Sequence, residues 1–321
     1  MIQMVNEIRK DYVLERYVII SPKRAKRPKN RVREVLESKR ECPFCKGKEK
    51  DTPPPIKEVP KGNWKVRIVP NKYPALVQGP FRGEEGGGFF RHFKPYGYHE
   101  ILIETPDHKE HFHELSAEHI ELSLRVMKER YLELMRDDEI VYVTLFKNEG
   151  KKGGASLGHV HTQIIASPIF PEVIMKEMQA SERYYENERR CPHCDVIKVE
   201  RKLKKRVVMS NRDFLVICPY ASIWPYETRI FPKRHFSDFG DIKRNEIKTL
   251  ALTLKKLLTR YAVLLDNPPY NITYHTFPAS DFWHFHIDIY PREKIHAGFE
   301  RFGLYINEVP PERAAKKLRN S

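Results

Sequence analysis

Gly158-His159-Val160-His161-Thr162-Gln163 and His284-Phe285-His286-Ile287-Asp288 are the two stretches whose reading decides the fold. In an extended strand, side chains two apart share a face, so each stretch projects two imidazoles and a polar group from one side. Ahead of the first lies a glycine-rich run, Gly150-Lys-Lys-Gly153-Gly154-Ala-Ser156-Leu-Gly158. Such a loop lets backbone amides approach phosphate oxygens, and imidazoles beside it can bind metal or attack phosphorus.

The same order of signals surrounds both stretches. Each half opens on a C-P-x-C knuckle, Cys42-Pro-Phe-Cys45 and Cys191-Pro-His-Cys194. Each then carries Pro-Asp-His108 or Pro-Lys-Arg-His235 after a short β-rich stretch. A long amphipathic helix follows in both. Ile120, Leu124, Met127, Tyr131 and Leu134 step by three and four, as do Ile247, Leu250, Leu254, Leu257, Tyr261 and Leu264. A strand comes next, Glu139–Phe146 or Asn271–Thr276, and the H-x-H strand closes the half. The chain is therefore an internal duplication, with an extra glycine-rich segment around Gly79 to Gly97 in the first copy.

Trp64–Val69 and Glu100–Glu104 are spaced as antiparallel meander strands. The fold class is α+β, two antiparallel sheets flanked by helices and fused into one body. The repeats divide near the charged stretch Ser181–Arg190, giving residues 1–185 and 186–321. Pro310–Arg319 reads as a short closing helix with prolines at its start.

The chain has 321 residues, 40% hydrophobic, with a net charge of +15. No apolar run approaches the roughly 20 residues that span a bilayer, and no secretory signal opens the chain. It is expected to be cytoplasmic. The positive charge suits nucleic acid or phosphorylated metabolites, or is a lysine-rich solvated surface. Abundant charge with few Asn and Gln matches thermophile composition. In a cytosolic chain, the C-x-x-C pairs read as metal knuckles before disulfides. The fifth cysteine, Cys218, is read as a small buried hydrophobe.

Thiolate and imidazole ligands suit structural zinc. The repeat nominates Cys42, Cys45, His108 and His159 for one site, and Cys191, Cys194, His235 and His284 for the other. His111, His113 and His193 are nearby competitors without counterparts in the other half. With His159 committed to metal, His161 is the free imidazole beside the loop, a nucleophile toward phosphorus. Gln163 offers neutral amide donors to a phosphoryl oxygen, and Ser156 with the amides of Gly153 to Gly158 could hold the adjoining phosphate. His286 has no glycine loop before it, and Asp288 replaces the glutamine. The second copy is expected to be catalytically silent.

These motifs resemble those of the galactose-1-phosphate uridylyltransferases, the branch of the histidine-triad superfamily with two fused triad-like repeats. The resemblance begins at Ser21-Pro22-Lys-Arg24-Ala-Lys-Arg27-Pro28. It continues through Pro70-Asn71-Lys-Tyr-Pro74, Glu104-Thr-Pro-Asp-His108, Lys147-Asn148-Glu-Gly150, the glycine loop and its H-x-H-x-Q strand. It ends at Trp224-Pro-Tyr-Glu227, Gly298-Phe-Glu300 and Tyr305-Ile-Asn307. The family usually has proline where Val160 stands, a change expected to matter little chemically.

The resemblance implies that His161 takes UMP from UDP-glucose and passes it to galactose 1-phosphate, with Gln163 on the transferred phosphoryl group. It implies Arg24 and Arg27 at nucleotide phosphates, and Asn71 and Asn148 at the nucleoside and ribose. Ser156 and Gly158 fall on the phosphate side, and a hexose-binding segment lies near the C-terminus. It further implies a homodimer, with zinc at the first metal site and zinc or iron at the second. A phosphorylase acting on ADP-glucose or a dinucleoside polyphosphate shares the same pattern and stays open. So does a nucleic-acid-binding zinc protein, although no basic stripe interleaved with aromatics supports it.

Overall fold

The computed structural model describes residues 6–22, 42–80, 83, 85–92, 94–109, 111–294 and 297–321. Arg24 and Arg27 lie outside the described residues. In chain order the first repeat contains β1 (Glu7–Lys10), β2 (Tyr17–Ile20), β3 (Lys57–Val59) and β4 (Val66–Pro70). After these come β5 (Glu85–Gly87), β6 (Phe90–His92), β7 (Tyr98–Ile103), α1 (Ala117–Leu134), β8 (Tyr142–Glu149) and β9 (His161–Ser167). Two helices follow, α2 (Glu172–Glu188) and α3 (Pro192–Leu203). The remainder is β10 (Val207–Ser210), β11 (Phe214–Ile217), β12 (Thr228–Pro232), α4 (Arg244–Leu265), β13 (Tyr270–His275), β14 (His286–Pro291), β15 (Tyr305–Asn307) and α5 (Pro311–Asn320).

The two expected sheets are one. Ten strands run antiparallel in the order β10-β11-β12-β14-β13-β8-β9-β7-β4-β3, so the repeats join edge to edge through β8 and β13. Phe146 pairs with Gln163 in the first repeat, and Thr273 pairs with Asp288 in the second. Gln163 and Asp288 are equivalent in the duplication, so Phe146 and Thr273 are too. They lie directly opposite each other across the junction, and the repeat axis passes between them. Joining there removes the edge that each half-sheet would otherwise expose.

Alternation along the strands gives the sheet two faces. Leu102, Leu145, Ile164, Ile230, Ile272 and Ile287 enter the core under α1 and α4, which pack on each other over the junction. Both helices are fixed at their starts. Ser116 Oγ accepts the His119 N–H at 3.1 Å, and the Glu246 carboxylate accepts the Lys243 N–H at 2.8 Å. The three- and four-residue steps read in the sequence are their buried stripes: Ile120, Leu124, Met127, Tyr131 and Leu134 on α1, and Ile247, Leu250, Leu254, Leu257 and Tyr261 on α4. Each such side chain contributes roughly 1.5–3 kcal/mol on leaving water. The closing helix α5 buries Ala314, Ala315 and Leu318 in the same core, as does Cys218.

The opposite face carries the polar chemistry. Ile101 and Ile103 point there, with Cys42, Phe44, Trp64 and Val69 packed on them. The glycine-rich insertion of the first copy forms the β5–β6 hairpin, apart from the main sheet. Among the described residues, no helix is long and apolar enough to cross a membrane.

Candidate active site and metal centres

The C-P-x-C knuckle, the loop after β7 and the residue before β9 converge at the first cluster. Cys42 Sγ lies 3.5 Å from His159 Nδ1, and Cys45 Sγ lies 3.4 Å from His108 Nδ1 and 3.6 Å from His159 Nδ1. Zinc–ligand bonds of about 2.3 Å to sulfur and 2.0 Å to nitrogen in a tetrahedron set ligand atoms about 3.5 Å apart. His159 Nε2 is 2.9 Å from the Thr105 carbonyl, so that nitrogen carries the proton and Nδ1 turns its lone pair into the cluster. The second cluster repeats the design. Cys194 Sγ lies 3.3 Å from His235 Nδ1 and 3.4 Å from His284 Nδ1, and His284 Nε2 is 2.9 Å from the Pro232 carbonyl. Cys191 completes it. Both donor sets fit a tetrahedral soft-metal site, and a bound ion there would tie segments distant in sequence.

The competing histidines are engaged elsewhere. His111 Nδ1 lies 2.9 Å from Glu149, and His113 stacks on His111 at 5.4 Å between ring centroids. His193 is buried against Glu177 and His286.

Two residues beyond His159, the His161 imidazole stands on the open face with Gln163. Its Nδ1 is 2.7 Å from the His159 carbonyl, which assigns the proton to Nδ1 and leaves the Nε2 lone pair free. Burial pushes its pKa down to about 4, so the ring is neutral at pH 7. Phe44 packs edge-on against it at 5.4 Å. On the helix side of the same strand, Thr162 Oγ1 donates to Glu104 at 2.9 Å. Glu104 is ion-paired with Lys147, both fully buried, and Lys147 Nζ donates to the His161 carbonyl at 2.9 Å. Backbone pairing with β8 ends at Phe146–Gln163, so the Lys147 side chain supplies the donor that the β8 backbone does not.

The glycine run has a packing reason for two of its members. A Cβ on Gly150, at φ +72°, would sit 2.8 Å from Pro269 Cβ, and one on Gly153 would sit 2.8 Å from the Tyr270 carbonyl oxygen. The second repeat thus shapes the loop of the first. Asn271 extends this, donating to Asn148 Oδ1 at 2.8 Å and to the Gly153 carbonyl at 2.6 Å. Ser156 and Gly158 are exposed on the loop just before the H-x-H strand. Asn71 follows β4, and its Nδ2 lies 3.0 Å from His99 Nε2.

Two groups escaped the sequence reading. His99 lies 3.0 Å from Gln163 Oε1, a neighbour only through the β7–β9 register. Glu177 of α2 is buried against the second H-x-H strand, 3.1 Å from His286 Nε2 and 2.9 Å from His275 Nδ1. Burial would raise the Glu177 carboxyl, but these imidazoles outweigh it and hold it well below the usual range. Arg229 forks onto Asp288 at 2.6 Å through both nitrogens, where the first repeat has Ile101 facing Gln163. His286 is fully buried beneath this network.

Sequence comparison finds the galactose-1-phosphate uridyl transferase N-terminal domain over residues 1–171 and the C-terminal domain of the same family over residues 177–321. An ADP-glucose phosphorylase of Arabidopsis thaliana is 33% identical over 98% of this chain and 92% of its own length. A galactose-1-phosphate uridylyltransferase of Thermotoga maritima is 32% identical over 98% of both. The crystal structure of an Arabidopsis thaliana ADP-glucose phosphorylase with bound ADP-glucose superposes with a TM-score of 0.85 at 31% identity, covering 99% of each chain. The chain belongs to the galactose-1-phosphate uridyl transferase family, a family of nucleotidyltransferases.

Proposed function

We propose that this family member moves a nucleoside monophosphate by way of His161, taking UMP from UDP-glucose and giving it to galactose 1-phosphate. The free Nε2 lone pair of a neutral His161, set by the Nδ1 contact to the His159 carbonyl, carries the reading. In the first half-reaction Nε2 bonds to the α-phosphorus, and the bond from that phosphorus to the bridging oxygen breaks. Glucose 1-phosphate departs with the electron pair. In the second, a phosphate oxygen of galactose 1-phosphate attacks the same phosphorus and the P–N bond breaks. UDP-galactose leaves and the imidazole is restored. Gln163 stabilises charge on the non-bridging oxygens.

Residues 1–185 form the catalytic repeat, and residues 186–321 form a structural one with the C-terminal substrate segment. Asn71, Asn148, Ser156, Gly158, Arg24 and Arg27 serve the nucleotide and its phosphates. The first Cys2His2 set holds zinc and the second zinc or iron, both in structural roles, supported by their ligand spacing and by the hydrogen-bonded Nε2 atoms behind the ligating histidines. The protein acts in the cytoplasm as a homodimer, as the family resemblance implies.

A second reading is favoured by the Arabidopsis thaliana relative: ADP-glucose as donor and inorganic phosphate as acceptor, with the same histidine. Intact-mass measurement after mixing with UDP-glucose or ADP-glucose separates the two. A UMP adduct chased by galactose 1-phosphate supports the first reading, and an AMP adduct chased by phosphate supports the second. An adduct that survives His161→Asn would remove both.

A further inference from the structure

The turn from Asn71 to Ala75 is wrapped around the His99 ring. The Asn71 N–H donates to the His99 carbonyl at 2.8 Å, and the Ala75 N–H donates to His99 Nδ1 at 3.1 Å. A backbone N–H only donates, so Nδ1 presents its lone pair and a neutral ring carries its proton on Nε2. That proton has an acceptor, Gln163 Oε1, at 3.0 Å. The opposite orientation of the carboxamide would set N–H against N–H and turn its oxygen outward. His99 therefore selects the rotamer in which the Gln163 oxygen faces β7 and the NH2 group stays on the open face. Asn71 Oδ1 accepts the Tyr73 N–H at 2.9 Å, which fixes the turn beside the ring.

We propose that His99 is a positioning residue, which through its Nε2–H presents the Gln163 amide as a donor to the oxygens of the transferred phosphoryl group. The proposal rests on the nucleotidyl-transfer reading. A donor that is already oriented does not have to reorganise as charge develops on the phosphoryl oxygens. The Pro70–Ala75 motif gains a structural purpose from it, since the Ala75 N–H bonds the His99 ring and the Asn71 N–H bonds its carbonyl.

The test is the rate of nucleotide attachment to His161, measured by rapid quench with UDP-glucose and ADP-glucose. Parent, His99→Ala, His99→Asn, His99→Gln, Gln163→Ala and the His99→Ala/Gln163→Ala pair are compared. His99→Ala is expected to lower kcat for attachment about 100-fold, the usual loss for one oriented donor, with KM nearly unchanged. His99→Gln restores most of the rate, because its amide reaches both the Ala75 N–H and the Gln163 oxygen. His99→Asn keeps the acceptor for Ala75 but is too short to reach Gln163, so it stays slow with the turn intact. This pair of variants carries the test should His99→Ala fail to fold. The double variant is expected to be no slower than Gln163→Ala. Additive losses in that cycle, parental kcat in His99→Ala, or His99→Gln as slow as His99→Asn would overturn the assignment while the transfer reading stands. A parent that acquires no nucleotide from either donor fails the transfer reading itself, and the role of His99 falls with it.

Discussion

The carboxylate of Glu177 lies 3.1 Å from His286 Nε2, the nitrogen that corresponds in the duplication to the free one of His161. A fused pair of repeats starts with two equivalent imidazoles, and here one keeps its Nε2 free while the other has a carboxylate of the same chain against it. Helix α2, laid between the repeats, puts a carboxylate where a phosphoryl group would have to stand. Like charge excludes a phosphate from that position, and the Arg229–Asp288 pair takes the place of the glutamine.

One nucleotide per chain is therefore expected at saturation, and none on the second repeat. Peptide mapping after incubation with excess donor checks this. All modification should fall on the His161 peptide, and any adduct on the peptide bearing His286 would contradict the closure by Glu177.

Two metal ions per chain are expected by elemental analysis, one for each cluster. Cys42→Ser and Cys191→Ser should each remove one equivalent and leave the other. Apparent binding energies of structural zinc are about 10–16 kcal/mol in isolated peptides, so loss of either ion should lower Tm by well over 10 °C. Loss of the first ion should also abolish nucleotide attachment, because His159, two residues from the proposed nucleophile His161, belongs to that cluster. A Cys191→Ser protein that loses both ions at once would show the sites to be coupled rather than independent.

Much of this was legible in the sequence because it is local. The step pattern of Ile120 to Leu134, the two C-P-x-C knuckles and the two H-x-H strands each announce themselves within one turn or one strand. The pairing of distant histidines with each knuckle followed from the duplication, which ties Cys42 to His108 and His159 by analogy with the other half. The contacts of His99 and Glu177 were not legible. His99 and Gln163 are diagonal neighbours only once β7 and β9 are in register. Glu177 sits in a helix with no counterpart in the repeated order of signals, and its burial depends on the polar face of the second repeat, a surface that no local pattern reveals. The merging of two sheets into one was hidden likewise. Strand periodicity gives the faces of β8 and β13 but is silent about their edges.

Lys147 and Glu104 form an ion pair beneath β9, with side-chain exposures of 2% and 3%. Lys147→Met strands a buried carboxylate and is expected to cost about 3–5 kcal/mol in denaturant unfolding. The paired change Lys147→Met/Glu104→Leu should recover much of that loss. It should not recover the attachment rate, since the His161 carbonyl still lacks its donor. Recovery of both together would mean that the pair serves stability alone.

Glu227 provides a pH signature independent of the metal clusters. Burial pushes its carboxyl up to about 7, against the opposing pull of Arg16. One oxygen accepts the N–H groups of Ile223 and Trp224 at 2.7 and 3.0 Å, and the other is buried with no partner among the described residues. An unfolded glutamate has a pKa of about 4.3, so between that pH and about 7 the folded chain holds a proton that the unfolded chain has released. The sign follows from this binding. The stabilisation is present in full below the unfolded value, is lost as pH rises through the window, and changes no further above it. The loss across the window amounts to about 4 kcal/mol. Glu227→Gln keeps an acceptor for the two N–H groups and removes the titration. Relative to the parent it should gain stability steadily from pH 5 to pH 7 in denaturant melts, then run parallel above pH 8. Parallel curves across the whole range would mean that the carboxyl titrates at its ordinary value.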